Sequence, residues 1–155
     1  MRVESTTCVA APRETVWQVV SDPRRWADFM DGLAVADVVG DTATGLGARW
    51  SIRLEVGAAA LGGTVEVVEY DEPGDLAWNA VTGIALRGRW RLRERTPGRT
   101  EVTFRLAYQA PGGLSGVVAD WVAAPLVKRR LRTSLQQLSV LLSEDQGRRR
   151  AANRA

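Results

Sequence analysis

The sequence contains no histidine and only one cysteine, Cys8. Histidine is the commonest protein ligand of metals and the commonest general acid or base near neutral pH. Its absence excludes zinc sites built from cysteine and histidine, and it excludes serine–histidine and cysteine–histidine nucleophile pairs. A single cysteine cannot form a disulfide bond within the chain. We therefore predict no metal site and no cofactor.

Long apolar runs are also missing. No stretch approaches the roughly 18 apolar residues that a membrane-spanning helix needs, and the first residues alternate in polarity instead of forming the apolar segment of a signal peptide. The expected location is the cytoplasm. With 155 residues, we expect one domain over residues 1–144 and a basic, disordered tail over residues 145–155. No pattern in the sequence indicates the oligomeric state.

The basic character of the chain is concentrated at its C-terminus. The sequence pI is about 9.7, and four arginines fall in the last eight residues: Arg148, Arg149, Arg150 and Arg154. Without these four charges, the net charge of +3 becomes −1. A nearly neutral body argues against a nucleic-acid-binding domain, and a solvated tail is favoured over a binding site for anionic partners.

One segment has strict two-residue periodicity. Five arginines alternate with small or apolar residues, which predicts a strand with one face in water and one face against the interior. The outward residues are Arg87, Arg89, Arg91, Arg93 and Arg95, and the inward residues are Leu86, Gly88, Trp90 and Leu92. In the next strand, Glu101 can pair with this arginine row across the hairpin. The row is most simply a solvated sheet face.

The order of the elements predicts an α+β fold. A first strand over residues 1–9 is followed by two short helices, one after Pro12 and one after Pro23. Strands are predicted near residues 33–39, 48–56, 64–70, 76–82, 86–95 and 100–108, with a turn at Gly62-Gly63, and a long helix follows over residues 114–144. Short connections make neighbouring strands antiparallel. The expected architecture is a helix-grip fold, in which about seven curved antiparallel strands wrap around a long C-terminal helix, with two short helices between strands 1 and 2.

This architecture predicts an apolar pocket. One helix, about 10 Å wide, cannot fill the concavity of seven strands. Either large side chains plug the remainder or the space stays open for a ligand. The predicted inward residues are rich in large rings, which we interpret as a binding site for a small hydrophobic molecule: Trp26, Phe29, Trp50, Trp78, Trp90, Phe104, Tyr108 and Trp121.

Four motifs, in this order, are similar to a known family. They are Ala11-Pro12-x3-Val16-Trp17-x4-Asp22-Pro23-x2-Trp26, Gly45-x-Gly47-x-Arg49-Trp50, Val68-Glu69-Tyr70-Asp71-Glu72-Pro73-x2-Leu76-x-Trp78 and Gly98-x-Thr100-x-Val102-Thr103. Together they resemble the START/Bet v 1-like (SRPBCC) superfamily, of the bacterial polyketide cyclase/dehydrase and lipid-transport type, over residues 1–144. The resemblance implies a hydrophobic ligand that enters between the terminal helix and the loops around residues 26–33 and 57–62.

The resemblance leaves binding and catalysis both open. Aromatase/cyclases of this family resemble one another in a pocket serine and arginine on the fourth strand and a tyrosine after the second helix. Here the strand positions hold Glu66 and Val68, or Val67 and Glu69 in the other register, and Leu33 follows the helix. The chain departs from the aromatase pattern at each of these positions.

Two residues are candidates for chemistry. The Tyr108 hydroxyl can donate to a ligand carbonyl or reach a backbone acceptor, and Glu66 faces either the pocket or the solvent, depending on the strand register. The first hypothesis is a binding protein for a lipid-like or polyketide-like molecule. The second is a cyclase, aromatase or dehydratase acting on a chain held in the pocket. The third is an interaction module without a ligand, for which we expect an interior filled by the rings.

Overall fold

The fold was analysed in a computed structural model that describes residues 1–83, 85–109 and 113–155, without the side chains of residues 56, 59, 61 and 113–123. The elements are β1 (Arg2–Val9), α1 (Arg13–Val20), a 3-10 helix η1 (Pro23–Asp28), β2 (Leu33–Val39), β3 (Arg49–Val56), β4 (Ala59–Asp71), β5 (Asp75–Ala80), β6 (Leu86–Thr96), β7 (Arg99–Tyr108) and α2 (Gly113–Arg154). This order confirms the predicted helix-grip fold.

The seven strands form one antiparallel sheet in the order β1-β7-β6-β5-β4-β3-β2. The first strand lies beside the last one, so that the sheet curls around α2, which packs mainly against β1. On the inner face of β7, alternate residues are fully buried, as the alternation in the sequence predicts. Among the described side chains of α2, those that are buried are Val127, Leu131, Ser134, Leu135, Leu138 and Leu142.

The short helix η1 has clear local signals. Asp22 precedes it in extended conformation and accepts a hydrogen bond from the backbone N–H of Arg24 at 3.0 Å, which is an N-cap. Pro23 takes the first helical position, where its missing N–H removes no hydrogen bond. Pro23 and Trp26 are buried. These signals direct the Trp26 side chain towards the sheet.

The β3–β4 hairpin differs from the prediction. The turn lies at Gly57-Ala58, and Gly62 and Gly63 are inside β4, opposite Arg53 and Ile52. A Cβ atom at Gly62 would overlap the carbonyl oxygen of Ile52. The predicted turn at Gly62-Gly63 was wrong because these glycines permit a close backbone approach within the sheet, which has the same sequence signature as a turn.

The terminal helix is longer than predicted. It continues to Arg154, ten residues beyond the expected end at Glu144, so the segment expected to be a disordered tail is helical. The segment contains no proline, and Glu144 and Arg148 form an ion pair one turn apart, at 3.9 Å. Arginine and alanine favour helix, and this preference outweighs the repulsion between neighbouring arginines.

The arginine row of β6 lies on the outer face and is neutralised mainly by Asp75 of β5. The carboxylate of Asp75 lies 2.8 Å from Arg93, 3.1 Å from Arg91 and 3.9 Å from Arg89. Burial by itself raises the pKa of Asp75, but the hydrogen bonds and charges of Arg93 and Arg91 together lower it by more than burial raises it, so the resulting pKa is below the ordinary value. Glu101 pairs with Arg95, as predicted.

Gly88 of β6 is the residue on which the packing of Trp78 depends. The two are cross-strand partners, and a Cβ atom at Gly88 would overlap the indole of Trp78. We expect Gly88→Ala to lower the free energy of unfolding by about 1–3 kcal/mol or more, because the ring must leave its place. Urea denaturation measures this change. Gly147→Ala is the control, since no atom lies within 4 Å of its added methyl group, and an equal effect of both variants would contradict the assignment.

Asp75→Asn tests the charge arrangement on the outer face. We expect a loss of about 1–3 kcal/mol at pH 7, because three guanidinium groups lose their shared carboxylate. A carboxylate whose pKa is lowered by folding stabilises the protein above its unfolded pKa of about 4, and this contribution is lost as the pH falls through the lowered folded value. The difference from the parent protein should therefore shrink in acid. The exposed Asp41→Asn is the control, and a difference that is constant with pH would contradict this explanation.

Candidate functional site

Six buried rings meet on the inner face of the sheet and form what we call the ring cluster: Trp26, Phe29, Trp50, Trp78, Trp90 and Phe104. Trp90 and Phe104 are cross-strand partners on β6 and β7 and stack with their centroids 4.1 Å apart. Phe29 packs edge-on against Trp90 at 6.0 Å. The structure thus brings together six of the eight residues that the sequence predicts for ligand binding.

Trp26 lies at the centre of the ring cluster. Its ring centroid is 5.4 Å from that of Trp50, 6.2 Å from that of Trp78 and 6.4 Å from that of Trp90. Its indole N–H donates to the carbonyl oxygen of Val20 at 3.0 Å. A residue of the short helix η1 therefore bridges three strands of the sheet.

The ring cluster is closely packed. Each of the six rings is at most 1% exposed. An internal space large enough for water would count as exposed surface on its walls, so these rings do not border such a space. A ligand reaches them only after one of the rings moves.

The other predicted site residues lie elsewhere. Tyr108 is buried at the end of β7, where its hydroxyl is 3.4 Å from the sulfur of Met1 and its carbonyl oxygen accepts from the Met1 ammonium at 2.6 Å. Glu66 lies on the outer face and pairs with Arg49 at 3.2 Å. Its neighbours Val65 and Val67 point inward and are buried. Trp121 has a side chain outside the described residues.

The pairing of β4 with its neighbouring strands shows which face of the sheet Glu66 and Glu69 occupy. The strand shifts register between Val67 and Glu69, and Glu69 pairs with Arg89 on the outer face. The inner face of β4 therefore presents two valines before the shift. Glu66 cannot act on a ligand in the interior, because its side chain is on the opposite side of the sheet from the rings.

A small opening lies where α2 meets the loop after η1, and we call it the mouth. Its apolar walls are Met30, Leu54, Val127 and Leu131. The enclosed space is about 10 Å³, which is about the room that one water molecule needs. The mouth lies at the entrance that the family resemblance implies, next to residues 26–33. The sequence pattern places Leu131 on the inward face of the helix but gives no such signal for Val127.

Three residues close the mouth, and we call them the latch: Asp31, Arg130 and Ser134. Asp31 forms an ion pair with Arg130 at 3.0 Å, and its backbone N–H donates to the Ser134 hydroxyl at 2.8 Å. The Ser134 hydroxyl donates to the carbonyl oxygen of Arg130 at 2.7 Å. The latch joins the loop to α2 across the mouth, and sequence analysis had no signal for it, since its members are 99 or more residues apart in the chain or one helical turn apart.

Charged groups of the described residues lie mainly outside the interior. In the part of the chain that the structure describes, no three acidic, cysteine or histidine side chains are grouped so that they could hold a metal ion. No described helix is both long and apolar enough to cross a membrane. The described interior is therefore lined mainly by apolar and aromatic side chains, with a few hydroxyl and indole groups among them.

Comparison with known protein families gives one match over most of the chain. Residues 1–142 match the family model of polyketide cyclase/dehydrase and lipid-transport proteins. No curated protein sequence matches the chain.

Solved structures share the fold at low sequence identity. A protein of Thermus thermophilus is 16% identical, with a TM-score of 0.80 over 94% of this chain and 99% of that chain. The Zhui aromatase/cyclase from Streptomyces sp. R1128 is 23% identical, with a TM-score of 0.75 over 98% of this chain and 97% of that chain. The di-domain aromatase/cyclase BexL from the BE-7585A biosynthetic pathway is 16% identical, with a TM-score of 0.59 over 92% of this chain and 45% of that chain. These similarities show the fold.

Loosening the latch should make the interior more accessible. The five tryptophans with described side chains are at most 2% exposed, so acrylamide should quench their fluorescence weakly. We expect Asp31→Asn to raise the rate constant of acrylamide quenching about two- to fivefold, because the loop and α2 lose a partly exposed ion pair and separate more often. Ser134→Ala should raise it up to about tenfold, because the Asp31 N–H loses its acceptor.

The matched control is Asp145→Asn. It removes a second ion pair between η1 and α2, Arg25–Asp145 at 4.0 Å, which is not part of the mouth. Urea unfolding of each variant separates local opening from a loss of global stability. Equal quenching in the latch variants and the control would show that the latch does not close the mouth.

Proposed function

Because the chain belongs to the family of polyketide cyclase/dehydrase and lipid-transport proteins, we propose that it binds a small hydrophobic molecule, lipid-like or polyketide-like, in the interior between the sheet and α2. The observation that carries the proposal is the mouth, a small space with apolar walls between α2 and the loop after η1, across which only a few polar contacts are made. Apolar clefts with few polar groups are the usual form of such sites.

We propose that the ligand contacts the rings after entry through the mouth. Trp50, Trp78, Trp90 and Phe104 are fixed on strands, whereas Trp26 and Phe29 belong to η1 and its end. Movement of η1 would expose the strand rings to a ligand without breaking the sheet. Tyr108 and Trp121 complete the proposed set of ligand-binding residues.

Catalysis is less well supported than binding. Glu66, one of two candidate catalytic groups, lies on the outer face and is paired with Arg49. The remaining candidate, Tyr108, has its hydroxyl 3.4 Å from the Met1 sulfur. Cyclisation or dehydration in this interior would depend on confinement of the substrate. We therefore place ligand binding first.

The close packing of the rings favours a second candidate function. A helix-grip domain whose interior is filled needs no ligand and can serve as an interaction module. The six rings of the cluster, each at most 1% exposed, support this alternative. A ligand titration distinguishes the two functions.

We expect polycyclic or isoprenoid compounds to quench the tryptophan fluorescence of the protein and to raise its melting temperature, because a ligand that binds only the folded state stabilises it. The neutral fluorophore N-phenyl-1-naphthylamine serves as the probe for kinetics. Leu131→Ala, which widens the mouth, should raise the association rate of the probe about threefold or more.

Val140→Ala is the matched control, since Val140 lies on the same helix but is 59% exposed. It should leave the association rate unchanged. If no compound of the panel alters either the fluorescence or the melting temperature, the binding proposal is wrong and the interaction module is favoured.

A further inference from the structure

The tryptophans of the ring cluster differ in how their indole N–H groups are satisfied. The Trp26 N–H donates to the carbonyl oxygen of Val20 at 3.0 Å, and the Trp50 N–H donates to that of Ala43 at 2.8 Å. Among the described residues, neither the Trp78 N–H nor the Trp90 N–H has an acceptor, although both atoms are fully buried. Two donors of the same cluster are thus left without partners.

An unpaired donor in an apolar interior is unfavourable, because folding removes its hydrogen bond to water and returns nothing. Trp17 is a third case, but it lies between α1 and β4, where its ring packs edge-on against Tyr70 at 5.1 Å. Phenylalanine in place of Trp78 or Trp90 would avoid the unpaired group while keeping an aromatic ring. The two indoles are therefore best explained by an acceptor that the protein itself does not supply.

The two rings that carry these donors adjoin the same third ring. Trp78 and Trp90 lie on the inner face of neighbouring strands, and their cross-strand partners are Gly88 and Leu76. Both rings adjoin the ring of Trp26, with centroids 6.2 and 6.4 Å away. A planar molecule that takes the place of the Trp26 ring would touch both indoles at once.

Trp26 is the ring of the three whose displacement would disturb the sheet least. It is carried by a six-residue 3-10 helix that ends beside the mouth, whereas Trp78 and Trp90 are fixed by the hydrogen-bonded ladder of β5 and β6. Displacement of Trp26 leaves both strands intact and opens a flat space lined by rings.

We propose that the indole N–H groups of Trp78 and Trp90 are the polar anchors of the binding site, and that the ligand is a planar, conjugated or fused-ring molecule with carbonyl oxygens as hydrogen-bond acceptors. A saturated acyl chain offers these donors no acceptor along its length, so a ligand with carbonyl groups in its ring system is favoured over it. This inference rests on the proposed binding function and narrows its ligand class.

A pair of compounds with one skeleton tests the inference. Anthracene and 9,10-anthraquinone differ in two carbonyl groups, and the readout is the ratio of their dissociation constants. We expect Trp78→Phe and Trp90→Phe each to raise the dissociation constant of anthraquinone about tenfold relative to that of anthracene. This change corresponds to one lost hydrogen bond of about 1.4 kcal/mol. Trp50→Phe, whose N–H is already bonded to Ala43, should change both dissociation constants alike and leave the ratio unchanged.

A second measurement needs no substitution. In spectra of the protein with ¹⁵N-labelled tryptophan, anthraquinone should shift the indole protons of Trp78 and Trp90 downfield, and those of Trp26 and Trp50 should not gain such a hydrogen-bond shift. Suppose that both compounds bind, that the ratio of their dissociation constants is the same in all variants, and that the Trp78 and Trp90 signals do not move. The two N–H groups then do not bind the ligand, and the inference is overturned while the binding function stands. If neither compound binds and no ligand in the wider panel does, both proposals are overturned.

Discussion

The inner face of this sheet is closed by rings, and the placement of one of them, Trp26, determines how the others pack. A single helix covers only part of a seven-stranded concave sheet, and the side chains of α2 that reach the interior are aliphatic or small. The remaining space is filled from the side by η1, whose N-cap at Asp22 sets the direction of the helix. On the sheet, the ring of Trp78 finds room only because Gly88 has no side chain. The N-cap of η1, the position of η1 and the absence of a Cβ atom at Gly88 thus together determine how the ring cluster packs.

This arrangement divides the interior into a rigid part and a part that can move. The strand rings are held by cross-strand registers that extend over the whole sheet. In contrast, η1 is outside the hydrogen-bonded ladder of the sheet and is held by its cap, by the ring contacts and the N–H bond of Trp26, and by a loop that the latch joins to α2. Short elements outside such a ladder open at lower free energy than the strands of a core. Any ligand entry therefore depends on η1 and the loop after it, next to the mouth.

The fold was predictable from sequence because its strongest signals are local. Strict alternation in β6 and β7 gives the buried rows correctly, and the order of elements gives the topology. Predictions failed where one signal has two physical causes: Gly62 permits close approach within a strand instead of a turn, and the arginine-rich end is helical instead of disordered. The site was less predictable. The ring cluster follows from inward positions, but the face of Glu66 depends on a register that only pairing with β3 fixes, and the latch joins residues far apart in the sequence.

The distribution of polar groups limits what this interior can do with a ligand. The buried polar side chains of the described residues are Ser21, Thr100 and Ser134, to which the hydroxyl of Tyr108 can be added. Three carboxylates of the neighbouring strands, Glu66 and Glu69 of β4 and Asp75 of β5, are on the outer face and are paired with arginines. A molecule bound at the proposed site would be selected by shape and by hydrogen bonds and would be held in one conformation. Such confinement can by itself accelerate a reaction of the bound molecule.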